Sequence, residues 1–298
     1  MCRHLAYLGP PASLRSLLID PPHSLYRQAW APRLQRHGTV NADGFGIGWY
    51  ASADPVPARY RRGEPIWGDT SLPGIARVTR SGAVLAAVRS ATPGTASGPE
   101  AAAPFGCGPW LFSHNGAARG WREWGEAAFL SLPGTPSPAP ALLSCLEALT
   151  DSALLWALTL RRLRAGLPLD AALAGTVGTV EAAGGTGRLN LLLTDGTSIA
   201  ATAHGDTLWY RRTRAGPGRD GGAPAPTWPG PGEATPLRQA GPGQDPAASV
   251  TVASEPDDDG PGWTEVPDGH VLTATPSQVR IRPLSDLSAI KPAVHVST

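Results

Sequence analysis

Cysteine stands second in the chain, in the opening run Met1-Cys2-Arg3-His4-Leu5-Ala6-Tyr7. Removal of Met1 would leave Cys2 with a thiol and a free α-amino group on one residue. A free thiol titrates at about 8.5 and an α-amine at about 7.7 to 8.0. Near neutral pH part of the amine is therefore unprotonated and can take the thiol proton, directly or through a water. Nucleophile and base then share a residue, and no histidine base is required. His4 follows two residues later, which in a strand sets it on the same face as Cys2 and makes it a candidate supporting group.

Two later positions could serve such a nucleophile. Arg89 ends the apolar run Ala83-Val84-Leu85-Ala86-Ala87-Val88 and precedes Ser90-Ala91-Thr92-Pro93-Gly94. An arginine at the mouth of a buried strand can offer its planar fork of donors to a carboxylate, or be a plain loop residue. Asn115-Gly116 follows the apolar run Trp110-Leu111-Phe112-Ser113 and His114. This dipeptide favours a tight turn; alternatively the Asn115 amide and the Gly116 N–H converge as an oxyanion hole. Asp151-Ser152, ahead of Ala153 to Leu158, reads as a helix N-cap.

The elements that must position these groups alternate between strand and helix patterns. Arg3 to Leu8 reads as a strand ended by Gly9-Pro10-Pro11, and Ser13 to Ile19 as a short helix. In Asn41-Ala42-Asp43-Gly44-Phe45-Gly46-Ile47-Gly48-Trp49-Tyr50, glycines alternate with apolar residues, as in a strand approached closely by another backbone or a ligand. Asn41 and Asp43, which open it, are further supporting candidates. Ala58 to Arg62 and Ile66-Trp67 flank Gly63 and predict a hairpin. Helices are expected from Ser152 to about Ala165 and from Pro168 to Gly184, the second with apolar residues at helical spacing. Strands follow at Leu189 to Thr194, Ser198 to Ala203, Thr207 to Arg212, Val250 to Ala253, Trp263 to Val266, His270 to Thr275 and Val279 to Pro283. On pattern alone the class is mixed α and β.

Composition narrows the function. Among 298 residues, 25 Lys and Arg balance 24 Asp and Glu, so no field recruits nucleic acid or an anionic membrane. A small-molecule substrate is the default. The three cysteines form no CxxC pair or metal-spaced cluster, which argues against disulfides, structural zinc and any metal centre; Cys107 and Cys145 read as small buried or half-buried residues. An apolar leader and an 18-residue apolar run are both lacking, so the expected location is cytoplasmic. Oligomeric state is not written in the sequence. From about Thr213 to Ala247 the chain is mostly Gly, Pro, Ala and polar residues, and a disordered surface insert is expected.

Cys2, Arg89-Ser90-Ala91-Thr92, Ser113-His114-Asn115-Gly116 and Thr150-Asp151-Ser152, in this order, resemble the glutaminase domain of class II glutamine amidotransferases. Longer phrases, Met1 to Gly9, Pro21 to Leu25, Asn41 to Tyr50, Ala58 to Arg62 and Ser254-Glu255-Pro256, resemble the γ-glutamyl hydrolases of ergothioneine biosynthesis within that family. The resemblance implies an α+β fold, a four-layer αββα sandwich of the N-terminal nucleophile hydrolase type, as a single domain over residues 2–298. It implies Cys2 as nucleophile with its α-amine as base, Asn115 and Gly116 as oxyanion hole, Arg89 with Thr92 on the substrate α-carboxylate, and Asp151 on its α-ammonium. Ser254-Glu255-Pro256 would be a loop facing the site. No cofactor is implied. The substrate would be a γ-glutamyl compound whose far half bears a trimethylammonium, for which Trp49, Tyr50, Tyr60, Trp67, Trp121 and Trp124 are the aromatic candidates. Two other readings stay open: a glutaminase subunit supplying ammonia to a partner synthase, and a non-catalytic binding module of the same fold.

Overall fold

The computed structural model describes residues 2–91, 94–132, 146–213 and 248–288. In chain order the elements are β1 (Arg3–Ser13), α1 (Leu14–Leu18), α2 (Leu25–Gln28), β2 (Phe45–Ala51), β3 (Asp54–Arg62), α3 (Leu72–Val78), β4 (Arg80–Val88), β5 (Phe105–Cys107), β6 (Trp110–Arg119), α4 (Trp121–Leu130), α5 (Asp151–Arg164), α6 (Leu169–Ala182), β7 (Thr186–Thr194), β8 (Ile199–Ala203), β9 (Trp209–Thr213), β10 (Ser249–Ala253), β11 (Trp263–Glu265), β12 (His270–Ala274), β13 (Val279–Pro283) and α7 (Ser285–Ser288). Among the described residues these strands make one seven-stranded sheet, β11-β9-β10-β1-β4-β2-β3, and one six-stranded sheet, β13-β12-β8-β7-β6-β5. The strand pairings among the described residues are antiparallel.

Strand alternation sorts the apolar residues into three layers. In β1, Leu5 and Tyr7 join Leu14, Leu18, Leu25 and Leu72 under helices α1 to α3. Their neighbours Ala6 and Leu8 face the other way and meet Leu111, Leu192 and Leu272 of the six-stranded sheet. A third cluster joins that sheet's outer face to α4, α5 and α6 through Phe112, Leu154, Leu158, Leu173, Val177 and Leu191. Helix, sheet, sheet, helix is the αββα order. Each fully buried Leu or Phe stabilises it by about 1.5 to 3 kcal/mol.

The glycine-rich strand does what its pattern predicted. A Cβ on Gly46 would lie 2.3 Å from the Ala103 carbonyl oxygen, and one on Gly48 would lie 2.6 Å from Leu111 Cδ1. Any side chain there would wedge the two sheets apart.

Three local expectations are corrected. Ile66–Gly68 is a turn of 3₁₀ helix rather than a returning strand: Ile66 is drawn into the apolar layer under α1 to α3, and β3 stays the edge of its sheet. Asn115-Gly116 is no turn: β6 runs through it, with Asn115 opposite Asn190 and Gly116 opposite Leu189. A Cβ on Gly116 would come 1.9 Å from Arg188 O, so glycine serves close strand approach. The cap of α5 is Thr150, whose hydroxyl accepts from Ala153 N. Asp151 is the first helical residue. Thr92, Pro93, Cys145, the Pro-rich stretch before Asp151 and residues 214–247 of the expected insert lie outside the described residues, while Thr213 ends β9.

Candidate active site

β1 lies fourth of seven strands in its sheet, and its first residues carry the site. The register pairs Arg3 with Val88 and His4 with Ala87; half-buried Cys2 and buried Arg89 each follow one residue beyond those paired ends. On the other flank Leu5 pairs with Ala253, and one step on, Ser254 N donates to His4 O at 3.0 Å. His4, bonded across to Ser113 of β6, faces the intersheet layer, and alternation sets Cys2 on the same face. Arg3 faces the helix layer, fully buried, with Nε donating to Gln35 Oε1 at 3.1 Å. Burial pushes its guanidinium pKa down, and Asp206 and Glu255 oppose that shift.

From the facing sheet, β6 supplies Ser113 and Asn115. His4 Nδ1 is 3.2 Å from Ser113 Oγ, and Asn115 Nδ2 is 3.3 Å from Ser254 Oγ. Ser254 Oγ also accepts from His4 N at 3.0 Å. Thr207 Oγ1 donates to Ser254 O at 2.8 Å, while Asn190, opposite Asn115, donates to Asp206 O and Thr207 O. Asn190, Ser113 and Thr207 were not singled out from sequence; in β7 the one readable sign is a polar Asn190 amid Leu189, Leu191, Leu192 and Leu193.

Neither nearby histidine suits a base. Burial, then the proximity of His114 and Arg3, pushes His4 down to about 3, so it is neutral at working pH and holds protons poorly. His114 has both ring nitrogens occupied, Nδ1 with Ser152 Oγ at 3.0 Å and Nε2 with Arg188 O at 2.9 Å, and burial lowers its pKa as well.

Of the two candidate charge clamps, Asp151 lines a cavity and Arg89 reaches its rim through Thr95. Arg89 is buried, and its Nη1 donates to Asp43 O, its Nη2 to Thr95 Oγ1 and Ala96 O. These bonds fix the guanidinium plane. Asp43 closes the loop from the other side, accepting at Oδ2 from Ala91 N at 2.7 Å. Asp151 accepts from Ala118 N at 2.9 Å and Ser152 N at 2.8 Å. Thr95, Ala117, Ala118, Trp121 and Asp151 line a cavity of about 220 Å³, so Thr95 touches both the arginine and the space before the aspartate. Asn41 stands elsewhere: its amide donates to Gln28 O and Gln35 Oε1, bracing residues 28–41 behind Arg3. Glu255 also turns from the site and takes Arg33 N and Leu34 N on its two oxygens; of the Ser254-Glu255 pair only Ser254 faces it.

Comparison with known proteins bears on this arrangement. Residues 23–219 match the family of class II glutamine amidotransferases. The γ-glutamyl-hercynylcysteine sulfoxide hydrolase of Mycolicibacterium smegmatis is 37% identical over 284 residues, covering 95% of this chain and 100% of that protein. A protein of the same name from Mycobacterium tuberculosis is 37% identical, over 95% of this chain and 97% of its own length. Among solved structures, a class II glutamine aminotransferase domain protein from Silicibacter pomeroyi superposes with a TM-score of 0.54 at 21% identity, covering 95% and 99% of the two chains. The glutamine phosphoribosylpyrophosphate amidotransferase of B. subtilis gives 0.55 at 15% identity, over 95% of this chain and 49% of that one. These two likenesses concern the fold.

Proposed function

The chain belongs to the class II glutamine amidotransferases, and from that premise we propose that it hydrolyses the γ-glutamyl amide of γ-glutamyl-hercynylcysteine S-oxide, releasing glutamate and hercynylcysteine S-oxide. The observation that carries the reading is the convergence at one end of the intersheet layer: Cys2 and Arg89 each stand one residue beyond the paired ends of β1 and β4, Ser254 ties β1 to Asn115, and both nearby histidines are disqualified as bases. The α-amine freed by loss of Met1 is the base that remains. The names of the 37% identical relatives support the choice of substrate.

In this mechanism the α-amine takes the Cys2 proton and the sulfur attacks the γ-carbonyl carbon. The Asn115 amide and Gly116 N–H stabilise the oxyanion. Collapse breaks the C–N bond, the α-ammonium returns its proton to the departing amine, and a glutamyl thioester remains on Cys2. Water, deprotonated by the same α-amine, attacks the thioester and restores the thiol. Arg89, helped by Thr92, holds the substrate α-carboxylate, and Asp151 the α-ammonium. Two fixed charges set the carbonyl about 3 Å from sulfur. Asp43 and His4 act behind these groups, and Asn41 more distantly.

The far half of the substrate carries a cation that cannot donate hydrogen bonds, so aromatic faces suit it. Of the six candidates, Tyr50 spends its hydroxyl on Pro109 O and Thr194 O, Tyr60 on Asp69, and Trp124 its indole N–H on Arg119 O. Trp49 packs under the outer helices, and Arg122 already covers Trp121. Trp67 is 40% exposed and meets Trp30 edge to face at 5.7 Å. It follows the end of β3 that pairs with Phe45, the same end as Cys2. We assign the trimethylammonium to this pair.

The test is glutamate release by the Met1-processed protein from glutamine, glutathione and γ-glutamyl-hercynylcysteine S-oxide in parallel. Preference for the S-oxide by kcat/KM is expected. Preference for glutamine would replace this reading with an ammonia-supplying glutaminase, and no release from any of the three with a binding module.

A further inference from the structure

Ser254 has every polar group committed except one hydrogen. Its N–H donates to His4 O, its carbonyl accepts from Thr207 Oγ1, and its hydroxyl oxygen accepts from His4 N. A hydroxyl has one hydrogen and two acceptor positions, so the Ser254 proton needs an acceptor of its own. The Asn115 side-chain amide lies 3.3 Å away. With Nδ2 toward Ser254, the hydroxyl oxygen receives two donors, its proton has no use, and Asn115 Oδ1 is buried without a partner. Amide oxygen and nitrogen have nearly the same shape, so the hydrogen-bond inventory decides between the two orientations.

Turning the amide over resolves the count. Ser254 Oγ–H then donates to Asn115 Oδ1, and Nδ2 takes the place of the unpartnered atom. We propose that Ser254 is a positioning residue for catalysis: its hydroxyl grips the Asn115 oxygen and thereby aims the Asn115 N–H₂ at the oxyanion. The inference rests on the γ-glutamyl hydrolase reading above. A donor kept dry and preoriented is what oxyanion stabilisation needs, and here the residue that holds it also holds the backbone of His4, two residues from the nucleophile. One hydroxyl on β10's end thus sets the spacing between the nucleophile's strand and the oxyanion donor on the facing sheet.

Because Ser254 acts through Asn115, its loss is read in kcat. Ser254→Val removes the hydroxyl while Ser254→Thr keeps it in nearly the same shape, so the pair separates chemistry from packing. With γ-glutamyl-hercynylcysteine S-oxide as substrate, Ser254→Val is expected to lower kcat about 10- to 100-fold at little change in KM, and Ser254→Thr to restore most of it. Asn115→Ala lowers kcat about 10²- to 10³-fold, and adding Ser254→Val to it should cost nothing more. A further multiplicative loss in the double variant, or equal kcat in the Thr and Val variants, overturns the proposal. If Asn115→Ala itself leaves kcat unchanged, the failure belongs to the hydrolase reading. Neutron diffraction of the deuterated wild-type protein tests the orientation without activity: a deuterium on Ser254 Oγ pointing at Asn115 Oδ1 is expected, and a deuterium on Nδ2 pointing at Ser254 overturns it.

Discussion

Along most of the intersheet layer Leu8, Leu85, Leu111, Leu192 and Leu272 pack against one another, whereas at the end where β1 begins the same alternation delivers His4, Ser113, Asn115, Asn190 and Ser254, all equally buried. Accessible area cannot tell the two regions apart; polarity does. Burying a hydroxyl or amide costs roughly 1 to 3 kcal/mol unless a partner is found, and leucines would fill the same space with no such cost. The polar end keeps its partners across three chain segments, and it still leaves His4 Nε2 buried without one. One end of the layer holds the sheets together, and the other gives up some of that cohesion for reactivity.

The sharpest way to break this contrast is at the nucleophile. Cys2→Ala should abolish turnover while leaving substrate binding and the melting transition nearly intact, and the wild type should yield a glutamyl thioester on Cys2 by mass spectrometry. Full activity in the alanine variant would end the mechanism. One step down, Asn115→Ala and Arg89→Ala should part company. The first lowers kcat by about 10² to 10³, and the second mainly raises KM because it strips a charge clamp. Identical kinetic signatures would show the roles wrongly divided.

The apolar end should answer in the opposite currency. Leu192→Ala is expected to lower unfolding free energy by about 2 to 5 kcal/mol, measured in denaturant, with kcat of the folded enzyme unchanged. A loss of kcat there would mean the two ends are mechanically coupled. Acid titration sharpens the polar end. His4 titrates at about 3 in the fold against about 6.5 free, so below about 6.5 the unfolded chain binds a proton that the fold refuses. Stability should fall as pH drops from there toward 3, by up to about 1.4 kcal/mol per unit. Asp257, which burial holds up at about 6, works against this: the fold takes its proton first as pH falls below 6. Asp257→Asn should therefore steepen the acid loss, and an unchanged slope would contradict the assignment. The smallest effect is expected at Trp67→Leu, which should weaken the hercynyl substrate by roughly 1 to 2 kcal/mol and spare small γ-glutamyl amides.

Much of this was readable in order of the residues. The buried runs at Ala83 to Val88 and Leu189 to Thr194 are strands, and helices α5 and α6 follow their apolar spacing. What was missed depends on distant partners. Asn115-Gly116 has turn chemistry, yet the Arg188 carbonyl pressed against Gly116 holds it in a strand. Helix α4 lacked a starting signal, since it begins after Gly120 at φ 64° with no side-chain cap and carries Gly125 inside. Ile66-Trp67 offered a strand pattern, but Ile66 is buried in the layer under the outer helices and β3 remains the sheet edge. Ser254 was visible as part of a phrase, but its bonds to His4 and Asn115 span 250 and 139 residues of chain, a relation no local pattern encodes.

The place of β1 in its sheet has one more consequence. Chain ends usually fray at a sheet's rim, yet here the first strand is zipped between β4, some 80 residues on, and β10, some 250 on. Contacts of such sequence separation form late in folding. The first strand is therefore locked in place only after both distant partners have formed. Recovery of turnover on refolding should accordingly trail recovery of helical signal.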